Sequence, residues 1–556
     1  MRGRIPLNTY FAHEVKMQTC LRGMFSRLGR FSFLEVALFG FLIFIGSGEL
    51  HAEEFKKTKC WFEIPRDRTM TCGTLNVPEN RRKKDGPEIV LSVVVFEPDR
   101  ERHEPVVFLT GGPGQPTEIG NRDEIDEWWE FISGQSWMIG RRVIVADQRG
   151  IGKSTPALDC SQYFKPDHWN GILSDIDVEV SFGKLKKDEV LACRTALIAK
   201  GVDLDAYNTE ENAQDINDLR IALGIEKWVL YGVSYGTRLA LEVMNQHPEG
   251  ISASILDSVV PLDVNYLDED GPNLERSLKI LERDCQRANS CMTGVSHTVQ
   301  VIARQFDRQP LLLRSTDKEA RYTYVSGADF LEIIFGMLYD RDAIVTLPEL
   351  IERTYKQDFR PLTEILFEPD DLEISQGMDF SVSCSDSGLP DMSGKQDRYW
   401  AKWVELSDYS WACPLWILEN GPTSQHPSRR TDIPTLLLSG EYDPATPTEW
   451  ANHAAKTLPF GQVVVFRGIG HDVIDSDPCG SQVVADFLAN PRTKLKTECV
   501  AQMEAPQFPS PPEELWSGVQ TQHSPSALPS RQTSARFRFG HRIPYRIDLS
   551  RSERGD

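Results

Sequence analysis

The chain of 556 residues lacks several features that mark whole classes of protein. It has no C-x-x-C pair and no histidine-rich tract, so nothing favours a zinc site, and we expect neither a metal nor another cofactor. Basic residues are in the minority, with 61 lysines and arginines against 82 aspartates and glutamates. The net charge of −21 argues against a nucleic-acid partner, because binding to phosphates needs clustered cations.

Long apolar runs are also missing. The apolar stretch near the N-terminus, residues 36–45, is about ten residues long, which is too short to span a bilayer comfortably. Arginines precede it and small residues follow it, the arrangement of a secretory signal peptide. We predict that residues 1–52 direct export to the periplasm or the exterior and are removed, which leaves no stable membrane span. An uncleaved anchor is the alternative, and a start at Met17 or Met24 would shorten this long leader.

Cysteine is sparse, but its number and spacing are informative. Of eleven cysteines, Cys20 lies in the predicted leader, which leaves ten in the exported chain. An even number in an exported protein favours disulfides. Spacing alone leaves their connectivity open, and we favour bonds between neighbours: Cys60 with Cys72, Cys160 with Cys193, Cys285 with Cys291, Cys384 with Cys413, and Cys479 with Cys499.

The segment KWVLYGVSYGTRLALEV, residues 227–243, carries the main indication of chemistry. A short apolar run precedes GVSYG at residues 232–236, and a stretch that can be helical follows it. Strand, G-x-S-x-G and helix in this order are typical of a nucleophile elbow, a tight turn that exposes a serine hydroxyl. Roughly one chain in five of this length contains the pentapeptide by composition alone, so a glycine-rich turn with a capping serine is the alternative. We predict that Ser234 is a nucleophile.

A serine nucleophile needs a base within hydrogen-bond reach and an acid that orients this base. In chains with a nucleophile elbow, the acid and then the histidine follow the serine in sequence. The acid candidate is Asp443, in the loop GEYDPATP after the apolar run at residues 434–438. Glu441 competes with it, but Asp443 precedes a proline at a turn, where Thr446 and the next proline can cap and begin a helix.

The base candidate is His471, in the loop GIGH after the apolar run at residues 462–466. A histidine in a glycine-flanked loop beyond a strand can reach over the edge of a sheet. His453 is the second candidate, but it lies in the helix expected after the acid loop. Asp472 is not taken as the partner of His471, because adjacent side chains usually point apart. The predicted catalytic residues are therefore Ser234, Asp443 and His471.

The same chemistry needs backbone donors for the negative charge that develops on the substrate oxygen. One is the amide of the residue after the nucleophile, Tyr235, and a loop after an earlier strand supplies another. TGGPG at residues 110–114 follows the apolar run at 105–109, and we predict that the Gly112 amide is the second donor. A proline-glycine turn is the alternative. A phosphate site is not expected, because no Lys-Ser/Thr pair follows this loop.

The order of elements predicts an α/β fold. Strand-like runs alternate with helical patterns, which implies a mainly parallel sheet flanked by helices. We predict a core formed by residues 53–261 and 431–504, an inserted and mainly helical lid at 262–430, and a disordered tail at 505–556 that is rich in proline, serine and arginine. The apolar fraction of 40% and the charged fraction of 26% are those of a folded chain.

Several segments are informative in combination: TGGPG (110–114), DQRG (147–150), DINDLRIALG (215–224), YGVSYGT (231–237), GEYDPATP (440–447) and GIGH (468–471). Together they resemble the α/β hydrolases of the prolyl aminopeptidase and secreted tripeptidyl aminopeptidase branch. The resemblance departs at Thr110, where these families usually carry histidine. It implies an α/β-hydrolase fold and a secreted serine exopeptidase whose partner is a peptide substrate. The paired cysteines resemble the secreted tripeptidyl type more than the cytosolic prolyl type.

Exopeptidases of this kind hold the free amine of the substrate with carboxylates from the lid, so the resemblance also implies such residues here. Residues 383–386 (SCSD) resemble the segment that supplies one, which indicates Asp386, and Glu269 is a second candidate beside Asp268 and Asp270. An acidic cluster is otherwise a solvated surface. A carboxylesterase or lipase-like hydrolase with the same catalytic residues is the alternative activity, and a non-enzymatic binding protein is a third. The sequence leaves the oligomeric state open.

Overall fold

The computed structural model describes residues 54–163, 178–291, 293–315, 322–367, 374–387, 399–400, 408–416 and 426–509. The predicted signal peptide at residues 1–52 and the part of the predicted tail from residue 510 onward lie outside these stretches. No helix within them is both long enough and apolar enough to cross a membrane.

Nine strands of the described residues form one sheet, and two more form a separate hairpin. In chain order the strands are β1 Lys56–Thr58, β2 Thr69–Pro78, β3 Glu88–Glu97, β4 Val106–Leu109, β5 Val143–Ala146, β6 Trp228–Val233, β7 Ile251–Asp257, the hairpin β8 Leu311–Arg314 and β9 Tyr322–Val325, β10 Thr435–Gly440 and β11 Gly461–Phe466. The sheet order is β1-β2-β3-β5-β4-β6-β7-β10-β11. Along this spatial order, the pairs β1-β2, β2-β3 and β3-β5 are antiparallel, and every later pair is parallel. The prediction of a mainly parallel sheet is therefore confirmed.

Helices cover both faces of the sheet and occupy much of the segment between β7 and β10. In chain order they are α1 Arg122–Gly134, α2 Val178–Ala199, α3 Thr209–Ala222, α4 Tyr235–Gln246, α5 Asp270–Arg287, α6 Val295–Arg308, α7 Gly327–Met337, α8 Arg341–Ile344, α9 Leu347–Tyr355, α10 Arg360–Phe367, α11 Gln376–Ser387, α12 Asp408–Trp416, α13 Thr448–Ala454, α14 Val473–Ser476, α15 Pro478–Ala489 and α16 Glu498–Ala501.

The alternation of side chains along β6 divides the sheet packing into two cores. Tyr231 and Val233 belong to a cluster that includes Trp128 of α1 and Phe487 of α15. Leu230, one position along the strand, belongs to a second cluster with residues of α3, α4 and α13. Because successive strand side chains point to opposite faces, a strand that is apolar throughout must be buried on both sides. All six residues of β6 are buried, so this strand lies at the centre of the three layers.

Residues between β7 and β10 build a hydrophobic core of their own. It contains Leu278 of α5, Ile302 of α6 and Ile334 of α7. Two residues of the loop after β10, Tyr442 and Ala445, belong to the same cluster. The helices of the predicted insertion (residues 262–430, called the insertion below) are thus packed directly against the loop that contains the acid candidate.

The structure contains five disulfides. They join Cys60 to Cys72, Cys160 to Cys193, Cys285 to Cys291, Cys384 to Cys413, and Cys479 to Cys499. The prediction that neighbouring cysteines pair is confirmed.

Arg149, from the DQRG segment, is a fully buried cation at the end of β5. Its Nε and Nη2 groups each donate to Asp215 of α3 at 2.8 Å. Its Nη1 group donates to the carbonyl oxygens of Glu79 at 2.7 Å and Ala206 at 2.6 Å. Arg81 donates to the same Asp215 carboxylate at 2.7 Å. A planar guanidinium fits such a set of acceptors, so the DQRG and DINDLR segments are joined by a buried ion pair.

Replacing Arg149 by leucine should lower the free energy of unfolding by about 3–5 kcal/mol, because the buried Asp215 carboxylate loses two donors while keeping that of Arg81, and two carbonyl oxygens lose the donor that Arg149 supplies. Urea unfolding followed by circular dichroism measures the change. The matched control is Arg122→Leu, which removes an exposed ion pair to Asp126 on α1 and should cost about 0.5 kcal/mol or less. Equal losses in the two variants would contradict this role for Arg149.

Candidate active site

Ser234 stands at a sharp turn between β6 and α4. Its backbone has φ 55° and ψ −124°, a conformation that serine rarely adopts. Two glycines allow the turn: a Cβ at position 232 would lie 2.4 Å from the Gly236 carbonyl oxygen, and one at position 236 would lie 2.0 Å from that of Leu109. The strand, the turn and the helix therefore occur where the G-x-S-x-G pattern predicts them.

Ser234, Asp443 and His471 follow β6, β10 and β11, so all three lie beyond the carboxyl ends of parallel strands. In open parallel sheets, this is the edge at which ligands bind. The Nδ1 atom of His471 lies 2.8 Å from Oδ2 of Asp443, and both side chains are buried. The structure thus joins the predicted base to the predicted acid.

The Asp443 carboxylate has further donors within its own loop. The backbone amides of Ala445 and Thr446 donate to Oδ1 at 2.8 and 2.9 Å, and the Thr446 hydroxyl donates to Oδ2. Burial alone would raise the pKa of Asp443, but the neighbouring His471 and these donors outweigh it and hold the pKa below its usual value. Asp443 is therefore kept ionised and fixed in orientation.

The expectation that Thr446 caps the following helix is wrong. The residue before α13 is Pro447, which makes no side-chain cap, and the Thr446 hydroxyl is used by the acid instead. Local sequence favoured a cap because threonine is common at that position, but the helix begins only at Thr448, so Thr446 lies one residue too early to cap it and its hydroxyl donates to the carboxylate.

The two competing candidates have other partners. The Glu441 carboxylate accepts a hydrogen bond from Arg283 at 2.8 Å. His453 lies in α13, as expected, and its Nε2 atom is 2.9 Å from Asp263 on an exposed surface. Neither residue contacts the pair formed by His471 and Asp443 through a side-chain hydrogen bond.

Among the described residues, no hydrogen bond joins the Ser234 hydroxyl to His471. Nucleophile and base are often farther apart in a site without substrate than in the reacting complex. Ser234 itself is fixed through its backbone amide, which donates to the Asp257 carbonyl oxygen at 2.9 Å, and 8% of its surface is exposed.

The loop at residues 110–114 packs against the serine. A Cβ at Gly111 would lie 3.1 Å from the Cβ of Ser234. Gly112 has φ 100°, which only glycine adopts without strain, and its amide donates to no group among the described residues. The Tyr235 amide is the first in α4 and has no acceptor within that helix. Within the described residues, neither predicted oxyanion donor gives its amide to another group; Tyr235 follows Ser234 directly, and Gly112 follows the glycine that packs against it.

Asp147 of the DQRG segment holds the chain beyond this loop, a role that the sequence did not indicate. Its carboxylate accepts hydrogen bonds from the Thr117 amide at 2.9 Å, the Thr117 hydroxyl at 2.6 Å and the Lys153 amide at 2.7 Å. Burial raises the pKa of Asp147 despite these donors. Gly152 is required beside it, because a Cβ there would lie 2.2 Å from the carboxylate.

Two protein-family models match the chain. A model of the alpha/beta hydrolase fold matches residues 104–290, and a model described as TAP-like protein matches residues 401–499. The first match contains the 110–114 loop and Ser234, and the second contains Asp443 and His471. The chain therefore has the α/β-hydrolase fold.

Relatives of this hydrolase include named peptidases. The serine protease Hip1 of Mycobacterium tuberculosis is 22% identical over 455 residues, which cover 75% of this chain and 84% of the relative. The tripeptidyl aminopeptidase of Streptomyces lividans is 22% identical over 476 residues, 78% of this chain and 84% of the relative. The proline iminopeptidase of Arabidopsis thaliana is 29% identical over 164 residues, 30% of this chain and 29% of the relative. The hydrolase is therefore similar to serine peptidases along most of its length.

Asp386, the first candidate for binding a substrate amine, is fully buried in the hydrolase. Its Oδ2 atom accepts hydrogen bonds from Arg238 Nε at 3.1 Å and from the Thr209 hydroxyl. Thr209 also lies 2.9 Å from the Tyr235 hydroxyl. The structure thus pairs Asp386 with an internal cation and connects it to the start of α4.

Glu269, the second candidate, lies half-buried immediately before α5. It forms an acidic turn with Asp268 and Asp270. Burial, together with the charges of Glu269 and Asp268, raises the pKa of Asp270 to about 7. This turn therefore carries more negative charge than its surroundings can easily solvate.

Asp379 of α11 lies near the loop at residues 110–114, called the donor loop below. The sequence did not single out this carboxylate. A Cβ at Gly114 would lie 3.2 Å from the Asp379 amide, and the Ser375 amide donates to the Gly114 carbonyl oxygen at 2.8 Å. The Asp379 carboxylate is half-buried and accepts hydrogen bonds from Tyr409 and Ser383, each at 3.0 Å. Nothing in its local sequence marks it, because its position depends on how α11 docks on the loop.

Two buried aspartates, Asp257 and Asp472, lie beside His471. Asp257, at the end of β7, accepts hydrogen bonds from the amides of Val473 at 3.0 Å and Ile474 at 2.9 Å. Asp472 is also buried, and its amide donates to the Ser258 hydroxyl at 2.9 Å. Burial and the charge of Asp257 raise the pKa of Asp472 well above its usual value. The two amides that donate to Asp257 anchor the segment after His471.

Because the folded pKa of Asp472 lies above its unfolded value, the folded state holds a proton that the unfolded chain releases. The stability that this proton contributes is complete below the unfolded pKa and is lost as the pH rises through the folded pKa. The variant Asp472→Asn has a neutral side chain at every pH and should lose less free energy of unfolding than the wild type as the pH rises above the unfolded pKa of the carboxyl group. Urea unfolding at several pH values measures both curves.

The control for this comparison is Asp486→Asn, which removes an exposed carboxylate of α15 and should follow the wild-type curve. Parallel curves for Asp472→Asn and the wild type would rule out a raised pKa at Asp472.

Proposed function

We propose that this hydrolase is an exported serine exopeptidase that releases N-terminal residues or short peptides from peptide substrates. The observation that carries the proposal is the 2.8 Å contact between His471 Nδ1 and Asp443 Oδ2, at the strand edge that also presents Ser234. A histidine that is held on one nitrogen by a buried carboxylate keeps the other nitrogen available as a base. The names of the relatives, a serine protease and a tripeptidyl aminopeptidase, favour peptides as the substrate class.

In the proposed mechanism, Ser234 attacks the peptide carbonyl carbon while His471 accepts the hydroxyl proton through Nε2. The carbonyl oxygen becomes an oxyanion and accepts hydrogen bonds from the Gly112 and Tyr235 amides. Asp443 orients the imidazole and stabilises its positive charge. His471 then protonates the leaving amine, and the acyl group stays on Ser234. A water molecule, deprotonated by His471, attacks the acyl-enzyme and releases the N-terminal product.

Export is part of the same proposal. Five disulfides are consistent with an oxidising compartment, because cytosolic proteins rarely keep them. We assign residues 1–52 as the signal peptide on the basis of their basic and apolar pattern.

Replacing Ser234 by alanine should lower kcat/KM by about 10⁴-fold or more and abolish labelling by a fluorophosphonate, because the nucleophile is lost. His471→Ala should cause a similar loss, and the double variant should be no worse than either single variant, because triad members act as a unit. His453→Ala is the matched control and should keep activity within about twofold. A folded Ser234→Ala protein with most of its activity would overturn the proposal.

The alternative is a carboxylesterase with the same catalytic residues. It differs from an exopeptidase in having no need for a group that binds a substrate amine. Three carboxylates are candidates for binding the amine: Asp386, Glu269 and Asp379. Of these, Asp386 is already paired with Arg238. Asp379 is half-buried and lies on the helix that packs against Gly114, while Gly111 of the same loop touches Ser234. We therefore infer that Asp379 receives the amine, with Glu269 as the next candidate.

The variant Asp379→Asn should lower kcat/KM at least about tenfold for aminoacyl and tripeptidyl amides with a free N-terminus, because a charge-assisted hydrogen bond to the ammonium is lost. The same variant should change activity on N-blocked amides and short-chain esters by less than about twofold. Glu269→Gln is the matched comparison. A wild-type enzyme indifferent to the free amine would favour the esterase, and a loss confined to Glu269→Gln would assign the role to that residue instead.

A further inference from the structure

Arg276 of α5 connects the insertion to the backbone of the acid loop. Its Nη1 group donates to the Glu441 carbonyl oxygen at 3.0 Å, and its Nη2 group donates to the Asp443 carbonyl oxygen. The two carbonyl groups flank Tyr442, whose side chain is packed in the core of the insertion. One guanidinium therefore fixes two peptide groups at the residue that orients His471.

The environment of Arg276 is unusual for a cation. It is half-buried, and it makes no ion pair within 4.0 Å to any carboxylate of the described residues. Its Nε group is buried without an acceptor there. Burial lowers the pKa of Arg276, against the opposing charges of Glu449, Asp443 and Glu441. Removing a guanidinium from water costs free energy unless its hydrogen bonds offset the lost hydration. The contacts of Arg276 with these two carbonyl groups therefore indicate a role beyond stability.

Another arginine of the same helix shows the contrast. Arg283 donates to the side-chain carboxylates of Asp284 and Glu441, at 2.5 and 2.8 Å, and makes no hydrogen bond to Asp443 among the described residues. Its ion pairs join it to a buried side chain of its own helix and to the side chain of Glu441 in the acid loop. Arg276 alone of the two reaches the backbone of the acid residue.

The insertion also contacts His471 directly. The His471 amide donates to the Tyr339 carbonyl oxygen at 3.0 Å, and the two rings lie 4.4 Å apart between centroids. A Cβ at Gly470 would lie 2.2 Å from the Leu338 carbonyl oxygen, so this contact has no spare room. Both members of the pair formed by His471 and Asp443 are therefore held by residues of the insertion as well as by the sheet.

We propose that Arg276 is a positioning residue for catalysis, which sets the orientation of Asp443 towards His471 through the two carbonyl groups. The inference rests on the proposed function of Ser234, Asp443 and His471. Without the guanidinium, the acid loop is free to shift, and misplacing a catalytic group by about 1 Å costs on the order of 100-fold in rate. Arg276 is not expected to contact the substrate.

The test compares Arg276→Gln, Arg276→Lys and the control Arg283→Gln in the full chain with its disulfides intact. Arg276→Gln should lower kcat by about 30–100-fold with KM within about threefold of the wild type, and it should slow fluorophosphonate labelling of Ser234 by a similar factor. Arg276→Lys should recover about a tenth to a third of the wild-type kcat, because an ammonium lacks the planar fork that spans two carbonyl groups. Arg283→Gln should stay within about threefold.

Circular dichroism and a thermal melt establish that each variant is folded at the assay temperature. If Arg276→Gln fails to accumulate, Arg276→Lys decides: a kcat equal to that of the wild type would overturn the proposal. Unchanged kcat in Arg276→Gln, or an equal loss in Arg283→Gln, would also overturn it. A wild-type enzyme that the fluorophosphonate does not label at Ser234 would instead remove the proposed function on which the inference rests.

Discussion

The approach of α4 to the sheet is limited by one position, because a Cβ at residue 236 would lie 2.0 Å from the Leu109 carbonyl oxygen. Glycine there lets the helix start against the end of β4 and brings Ser234 beside Gly111 of the donor loop. The strained backbone of Ser234 persists because β6 is buried on both faces and cannot relax. The positions of the serine and of the predicted oxyanion donors therefore follow from steric contact between backbones.

Loop amides and the first amides of a short helix at this edge have no ladder or intrahelical acceptor, and buried carboxylates take that role. Asp147 accepts the amides of Thr117 and Lys153, and Asp257 accepts those of Val473 and Ile474. Each carboxylate holds a loop at two points in a low-dielectric interior, where a satisfied network is rigid and an unsatisfied one is costly. The catalytic candidates thus stand on a scaffold whose rigidity comes from acids that take no part in the proposed chemistry.

Sequence reasoning succeeded where the signal is local or ordered along the chain. The central strands, the turn at Ser234 and the pairing of neighbouring cysteines depend on short segments, and the contact between Asp443 and His471 follows from loops that come after adjacent parallel strands. It was wrong about Thr446, and it gave Asp386 no internal partner. The acceptor of Thr446 is three residues away but depends on the turn of the acid loop, and Arg238 meets Asp386 only through tertiary packing. The segment boundaries of the insertion and the roles of the site residues stay predictions.

Because the insertion supplies contacts to both His471 and Asp443, its place in the molecule differs from that of a detachable lid. Tyr442 and Ala445 of the acid loop share its hydrophobic core, so the packing of α5 to α7 is continuous with the loop that carries the acid. The same insertion carries Asp379, which we infer to receive the substrate amine, and Glu269, the next candidate. A change in the insertion that alters substrate choice therefore acts on elements packed against the acid and the base. Substrate specificity and the orientation of the catalytic pair are consequently coupled through one packed unit, since close-packed interiors transmit small displacements.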